Sequence, residues 1–376
     1  MNGIYLHIPF CKKRCIYCDF YSTVKGEETI TQYVKALCNE LSLRKDFLPS
    51  LNIDSVYIGG GTPSLLSPKQ LETIFKTLTS IYFLNDNAEV TLEANPDDIS
   101  GDFIRSIAST PVNRVSLGVQ SFDDRMLNFL NRRHSSLQAI KAITLLAEKG
   151  LENISMDLIY SLPGQTLSQW EQDIDKALSL PIKHLSSYTL TYEEGTPLMR
   201  MLRNGNISEA DEELSLTMYT LLMDKVANAG WEHYEISNFA TPGYRAKHNS
   251  GYWKGMFYLG CGPSAHSYDG TSRTWNAKDI DRYITQNGDT RSLQEKEIIT
   301  QTMRWDETVM VALRTKEGID LTYFSNLFGN QGKDKLLHYA SRDIQDGNLK
   351  IEGQRLHLTR KGLFVSDSVI VNLMRE

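Results

Sequence analysis

Ser55-Val56-Tyr57-Ile58-Gly59-Gly60-Gly61-Thr62 passes from a β-branched, apolar run directly into three glycines and a threonine. Glycines at a strand end let backbone approach whatever lies beyond it, because a Cβ there would intrude. The pattern extends along the chain. Candidate strands Gly3–Ile8, Ser55–Gly59, Glu89–Glu93, Arg114–Val119, Ser155–Ile159 and Leu185–Leu190 alternate with helical patterns at Thr29–Leu43, Pro68–Ile81, Asp102–Ile107, Leu137–Lys149 and Leu167–Leu180. Strands alternating with helices imply βαβ units and a parallel sheet. Polar residues gather at the strand ends: Gly59-Gly60-Gly61-Thr62, Glu93, Gln120 and Asp157. That placement predicts an α/β fold built as a partial (β/α)6 barrel, with its site on the C-terminal face of the strands.

The helix Asp211–Ala229 closes this first unit, and after Gly230 the alternation stops. Residues 231–290, rich in Gly, Tyr, Trp and His, read as loop with short strands. From Glu307 short helices appear, followed by an alternating hairpin, Asn348–Thr359, and a helix from Lys361. This predicts a smaller, mixed α+β C-terminal domain of winged-helix-like pattern.

The 376 residues suffice for two domains with proper cores, and 41% hydrophobic with 23% charged residues is ordinary for a globular chain. A net charge of −6 argues against general nucleic-acid binding. No apolar stretch approaches the roughly 18–20 residues of a membrane span. Met1-Asn2-Gly3-Ile4-Tyr5-Leu6-His7-Ile8 lacks the basic start and long apolar run of a signal peptide. The cytoplasm is the expected compartment, and disulfides are not expected there.

Cys11, Cys15 and Cys18 stand in a C-x3-C-x2-C run. A structural zinc site takes four ligands as two close pairs. Here Cys38 and Cys261 stand alone, and His7 lies in a run that reads as strand. Cys15 and Cys18 have redox-motif spacing, but Cys11 and the following residues do not suit it. Three thiolates fit a [4Fe–4S] cluster with one iron left open for a non-protein ligand.

With these residues in view, Cys11-x3-Cys15-x-Tyr17-Cys18 resembles the radical S-adenosylmethionine (SAM) signature. Gly59-Gly60-Gly61-Thr62-Pro63-Ser64, Gly118-Val119-Gln120-Ser121-Phe122 and Asp157-Leu158-Ile159-Tyr160-Ser161-Leu162-Pro163-Gly164-Gln165-Thr166 narrow the likeness. Together they resemble the oxygen-independent coproporphyrinogen III oxidase family, over nearly the whole chain. The resemblance implies a radical SAM core over residues 1–232, a connecting region over 233–290 and an oxidase-type C-terminal domain over 291–376. It implies a cluster on Cys11, Cys15 and Cys18, and SAM contacts from Tyr5, Gly60, Gly61, Thr62, Glu93, Gln120, Arg132 and Asp157. Read without it, Thr62 is equally a helix cap, Glu93 a solvated carboxylate, Arg132 a surface arginine and Tyr5 a strand aromatic.

Two departures separate branches of that family. The oxidases carry a fourth cysteine two residues after the third, where this chain has Phe20 in Cys18-Asp19-Phe20. They also carry an N-terminal extension over the active site, whereas Cys11 here follows ten residues. Both departures argue against porphyrinogen decarboxylation and match the shorter HemW-type heme chaperones of the family. His248-Asn249-Ser250-Gly251-Tyr252-Trp253 reproduces an H-N-x-x-Y-W element of those relatives. The resemblance implies heme as a further cofactor, with His248 as axial ligand and Tyr252 and Trp253 packing on the porphyrin. Read by itself, His248 is equally a hydrogen-bonded loop histidine with core aromatics beside it. His266 is the next candidate, in a Gly-rich run. Implied partners are heme and acceptor hemoproteins, respiratory ones among them, and a homodimer is compatible with the family. The enzyme alternative, radical SAM oxidation of coproporphyrinogen III, keeps the same SAM residues; no catalytic residue is assigned.

Overall fold

The computed structural model describes residues 1–375. Its strands are β1 (Asn2–Ile8), β2 (Asn52–Gly60), β3 (Phe83–Ala94), β4 (Arg114–Gln120), β5 (Ile154–Tyr160), β6 (His184–Thr189), β7 (Glu232–Glu235), β8 (Asn238–Ala240), β9 (Phe257–Cys261), β10 (His266–Tyr268), β11 (Ser272–Asn276), β12 (Gln294–Ile298), β13 (Ile319–Asp320), β14 (Leu349–Glu352) and β15 (Arg355–Leu358). Strands β1 to β6 lie side by side in chain order, all parallel. This is the order of a partial (β/α)6 barrel, and each expected strand is present, most of them longer by a residue or more, while β6 ends one residue early at Thr189.

The reason lies in the period-two alternation of each strand. Ile4, Leu6, Ile8, Val56, Ile58, Leu92, Val115, Leu117, Ile154, Met156 and Leu158 are fully buried against the outer helices. Their alternates, Tyr5, Tyr57, Glu93, Arg114, Ser155, Asp157 and His184, sit in register on the opposite, concave face. Outer helices include Glu27–Leu43, Pro68–Ile81, Gly101–Ala108, Ser136–Glu148, Leu167–Ser179 and Glu212–Asn228. Three of them start at capping boxes, Ser67 with Gln70, Ser135 with Gln138 and Thr166 with Gln169.

The arc is open. The outer edge of β1 pairs in parallel with β9, and that of β6 pairs antiparallel with β8. The twelve-stranded sheet runs β12-β11-β10-β9-β1-β2-β3-β4-β5-β6-β8-β7. Residues 231–290 are therefore more than loop with short strands. They also form a helix, Lys247–Trp253, which the sequence did not announce. Its first turn is held by a side chain 158 residues away: the Glu89 carboxylate accepts from Lys247 N (2.9 Å) and His248 N (3.0 Å).

The C-terminal unit has the small sheet β13-β15-β14 and helices Gln301–Leu313, Leu321–Gln345 and Ser366–Leu373. Trp305, Phe324, Leu336, Leu356 and Ile370 form its own core. Among the described residues no helix is long and apolar enough to cross a membrane.

Candidate functional site

A cavity of about 600 Å³ opens at the C-terminal ends of β1 to β6. Cys11, Cys15 and Cys18 line it together with Gly60, Gly61, Thr62, Glu93, Gln120, Arg132 and Asp157. The cysteine loop is strapped to its surroundings. Cys11 N donates to Thr23 O (2.9 Å) and Thr23 N to Pro9 O (2.7 Å), and Asn131 Nδ2 donates to Arg14 O (2.7 Å). Burial pushes the Cys11 thiol up and the Cys18 thiol up to about 11. Both are therefore neutral at pH 7 until a metal displaces the proton.

The glycine loop is shaped by contact. Gly61 N donates to Ile8 O (2.8 Å), and a Cβ on Gly61 would lie 2.6 Å from Phe10 O. Gly60 adopts φ +110°, and its Cβ would meet the His7 ring at 2.5 Å. Glu93 binds the loop from below: its carboxylate accepts from Gly60 N (3.0 Å) and from Tyr57 OH (2.7 Å). Burial raises the Glu93 carboxyl to about 7 against the pull of the Tyr57 hydroxyl. Asp157 is raised to about 6, again by burial, opposed by Ser186 and Arg114.

Gln120 has φ 72° and follows a bulge in the β4–β5 register at Gly118, which turns the strand end into the cavity. Arg132 Nη1 lies 3.2 Å from Cys15 Sγ, and its Nη2 donates to Asn95 Oδ1 (2.6 Å) and to Gly118 O. Its Nε is buried without a partner, whereas the Nε of Arg114, also in the cavity lining, lies 4.0 Å from the Glu89 carboxylate. One orphaned guanidinium nitrogen and two buried carboxyls suit a ligand carrying both an anionic and a cationic group.

Tyr5 stands outside the lining. Its hydroxyl is 2.9 Å from His7 Nδ1 and its ring lies 6.2 Å from that of Tyr57. Tyr57, Asn95, Arg114 and Asn249 line the cavity without having been singled out. For Tyr57 and Arg114 the signal was parity: each shares its strand face with a residue that was named.

His248 is where expectation and structure part. It is buried, and both ring nitrogens are occupied: Nδ1 by Ser55 Oγ (2.8 Å) and Nε2 by Tyr252 OH (2.9 Å). It presents no free nitrogen to a heme iron in this conformation. The imidazole is shared between Ser55 on the concave face of β2 and Tyr252 one turn along its own helix. Tyr252 packs edge-on against Tyr258 at 4.8 Å rather than presenting a face to the cavity. Trp253 is half-buried with its indole N–H unpartnered. The motif residue that reaches the cavity is Asn249.

Among the described residues no three Cys, His, Asp or Glu side chains converge as one metal ion requires. Three thiolates around a single cavity suit a cuboidal cluster, which seats each sulfur on its own iron.

Comparison with known proteins adds to this geometry. Residues 5–177 match the Radical SAM superfamily and residues 299–365 the HemN C-terminal domain. The chain is similar to the heme chaperone HemW of Lactococcus lactis, at 34% identity over 98% of this chain and 96% of that protein. It is 33% identical to HemW of Bacillus subtilis, over 98% of each. The solved coproporphyrinogen III oxidase (HemN) of Escherichia coli aligns with a TM-score of 0.84 at 22% identity, over 99% of this chain and 90% of that one. The last likeness is one of fold.

Proposed function

Because the chain belongs to the HemW family of heme chaperones within the radical SAM superfamily, we propose that it binds heme and hands it to acceptor hemoproteins. In this reading the cavity holds a [4Fe–4S] cluster and SAM. The observation that carries it is the convergence of three cysteines, a glycine loop and unpartnered arginine nitrogen on one cavity.

Cys11, Cys15 and Cys18 would each take one iron. Gly60, Gly61 and Thr62 would offer close backbone to the amino-acid end of SAM, and Arg132, whose Nε has no partner, would hold its carboxylate. Glu93, Gln120 and Asp157 supply acceptors for the amino group and ribose. Tyr5 is a positioning residue behind Tyr57. When bound, the cluster and SAM supply one-electron chemistry. The chain's own residues would orient the ligand and hold Glu93 near its titration point.

Asp19 and Phe20 are exposed where the oxidases have their extra cysteine, which favours carriage of heme over porphyrinogen oxidation. Anaerobic, cluster-loaded protein with reductant, SAM and coproporphyrinogen should form no protoporphyrinogen, while transferring bound heme to an apo-hemoprotein. Sustained protoporphyrinogen formation would overturn the reading.

A further inference from the structure

Arg132 and Arg133 stand side by side in the cavity wall, and their surroundings differ. The Arg132 guanidinium contacts Cys15 Sγ, Asn95 Oδ1 and Gly118 O, none of them a carboxylate. Arg133 meets two carboxylates: its Nη1 lies 3.1 Å from Asp97 Oδ2 and its Nη2 3.0 Å from Asp98 Oδ2. Arg133 is thus neutralised in place, and Arg132 keeps its charge for a ligand.

Asp98 does more than pair with Arg133. Its side chain is only 4% exposed. Oδ1 accepts from Lys12 Nζ (3.0 Å), and Oδ2 accepts from Ser64 Oγ (2.8 Å) as well as from Arg133 Nη2. These partners belong to three separate loops of the cavity. Lys12 follows Cys11, Ser64 comes two residues after Thr62, and Arg133 follows Arg132. Asp98 itself ends the short helical turn Pro96–Asp98 beyond β3. The residue before that turn makes an inner set of contacts with the same loops. Asn95 Nδ2 donates to Thr62 Oγ1 (3.4 Å), Thr62 Oγ1 donates to Cys11 Sγ (3.5 Å), and Asn95 Oδ1 accepts from Arg132. Ser64 Oγ joins the two sets, because it accepts from Asn95 N (3.3 Å) while donating to Asp98. Contacts therefore run unbroken from Cys11 Sγ through Thr62, Asn95 and Arg132 to Cys15 Sγ, and Asp98 braces them from outside.

We propose that Asp98 is a positioning residue for the SAM-binding cavity, holding the cysteine, glycine and arginine loops at one mutual spacing. This rests on the cluster-and-SAM reading above and deepens it. All three contacts of the carboxylate come from donors, two of them charged, and charge-assisted hydrogen bonds are the strong ones. An amide of the same size has a single accepting oxygen. Whichever way an asparagine turned, its NH2 group would face either Lys12 or the pair Ser64 and Arg133, a donor set against donors. The three loops would then relax separately. Removing groups that orient the ligands of a metal site typically costs about 10–100-fold in affinity or activity.

The test is calorimetric SAM titration of the anaerobic, cluster-loaded full chain. Iron content and the electron paramagnetic resonance spectrum of the reduced cluster serve as further readouts. Asp98→Asn is expected to raise the Kd for SAM about tenfold, with iron content kept and the ligand-free melting midpoint within a few degrees of the parent. Asp98→Glu, which keeps the charge, is expected to recover part of that loss. Arg133→Gln should cost a similar factor, and the double substitution no more than the larger single one, since both break one contact. A residue that only stabilised the fold would lower the midpoint and leave the Kd and the SAM-induced spectral change unmoved. Should Asp98→Asn fail to fold or to hold the cluster, Ser64→Ala carries the test, because it removes one contact without a change of charge; a several-fold rise in Kd is expected. Unchanged SAM affinity in Asp98→Asn, or in Ser64→Ala where it stands in, overturns the positioning role and leaves the SAM reading standing. Fully additive losses from Asp98→Asn and Arg133→Gln overturn it as well. A parent chain that takes up the cluster but no SAM overturns both.

Discussion

His248 shows how a residue's neighbours decide its chemistry. Burial, then Arg114, lowers its pKa to about 3 from an ordinary 6.5, so the folded chain holds it neutral. Its stabilising share is full above pH 6.5 and is lost as pH falls toward 3, since the unfolded chain then binds the proton first. His248→Ala forfeits both ring hydrogen bonds and leaves a void, a loss of about 2–4 kcal/mol at neutral pH. Urea denaturation should show a smaller difference between variant and parent at pH 5 than at pH 7, by up to about 2 kcal/mol. Equal differences at the two pH values would refute the burial argument. Glu93 illustrates the other sign: its carboxyl, raised to about 7, makes folding less favourable as pH rises from its unfolded value toward 7.

At the scale of elements, the six parallel strands were legible because their apolar alternates must face helices. The polar alternates were legible where they clustered at strand ends, as Glu93, Gln120 and Asp157 do. The helix Lys247–Trp253 was not, since Glu89, which holds its first turn, lies on a distant strand. For the same reason the imidazole of His248 looked available: Ser55 becomes its partner only after folding. The attachment of β9 to β12 was equally hidden. It depends on Glu40, fully buried in the helix Glu27–Leu43. Its carboxylate accepts from Gly262 N (2.7 Å), Asn276 Nδ2 (2.8 Å), Tyr283 OH (2.7 Å) and Arg44 Nη1 (3.0 Å). Glu40→Ala leaves Gly262 N and Tyr283 OH unpaired in the interior and Arg44 without its counter-charge, and a loss of about 3–5 kcal/mol is expected. Hydrogen exchange should quicken first in Phe257–Asn276; uniform quickening across β2 to β6 would contradict a local anchor.

For the whole molecule, the cavity joins residues of both units: Arg314 and Asp367, paired at 2.9 Å, line it with the strand-end groups. A ligand there binds only the folded chain. SAM at a hundredfold its Kd should therefore add about 2.7 kcal/mol to unfolding of the cluster-loaded protein. Arg132→Ala should abolish that increment while leaving the ligand-free midpoint within a few degrees. An undiminished increment in the variant would place SAM elsewhere.

The strand order carries one further consequence, for synthesis. β1 leaves the ribosome well before β9, its partner about 250 residues later, yet it lies in the interior of the sheet. At translation rates of roughly 5–20 residues per second, one edge of β1 stays unpaired for on the order of 10–50 s. Exposed strand edges invite wrong pairing. The nascent chain therefore depends on whatever shields β1 through that interval, and slower translation lengthens the exposure.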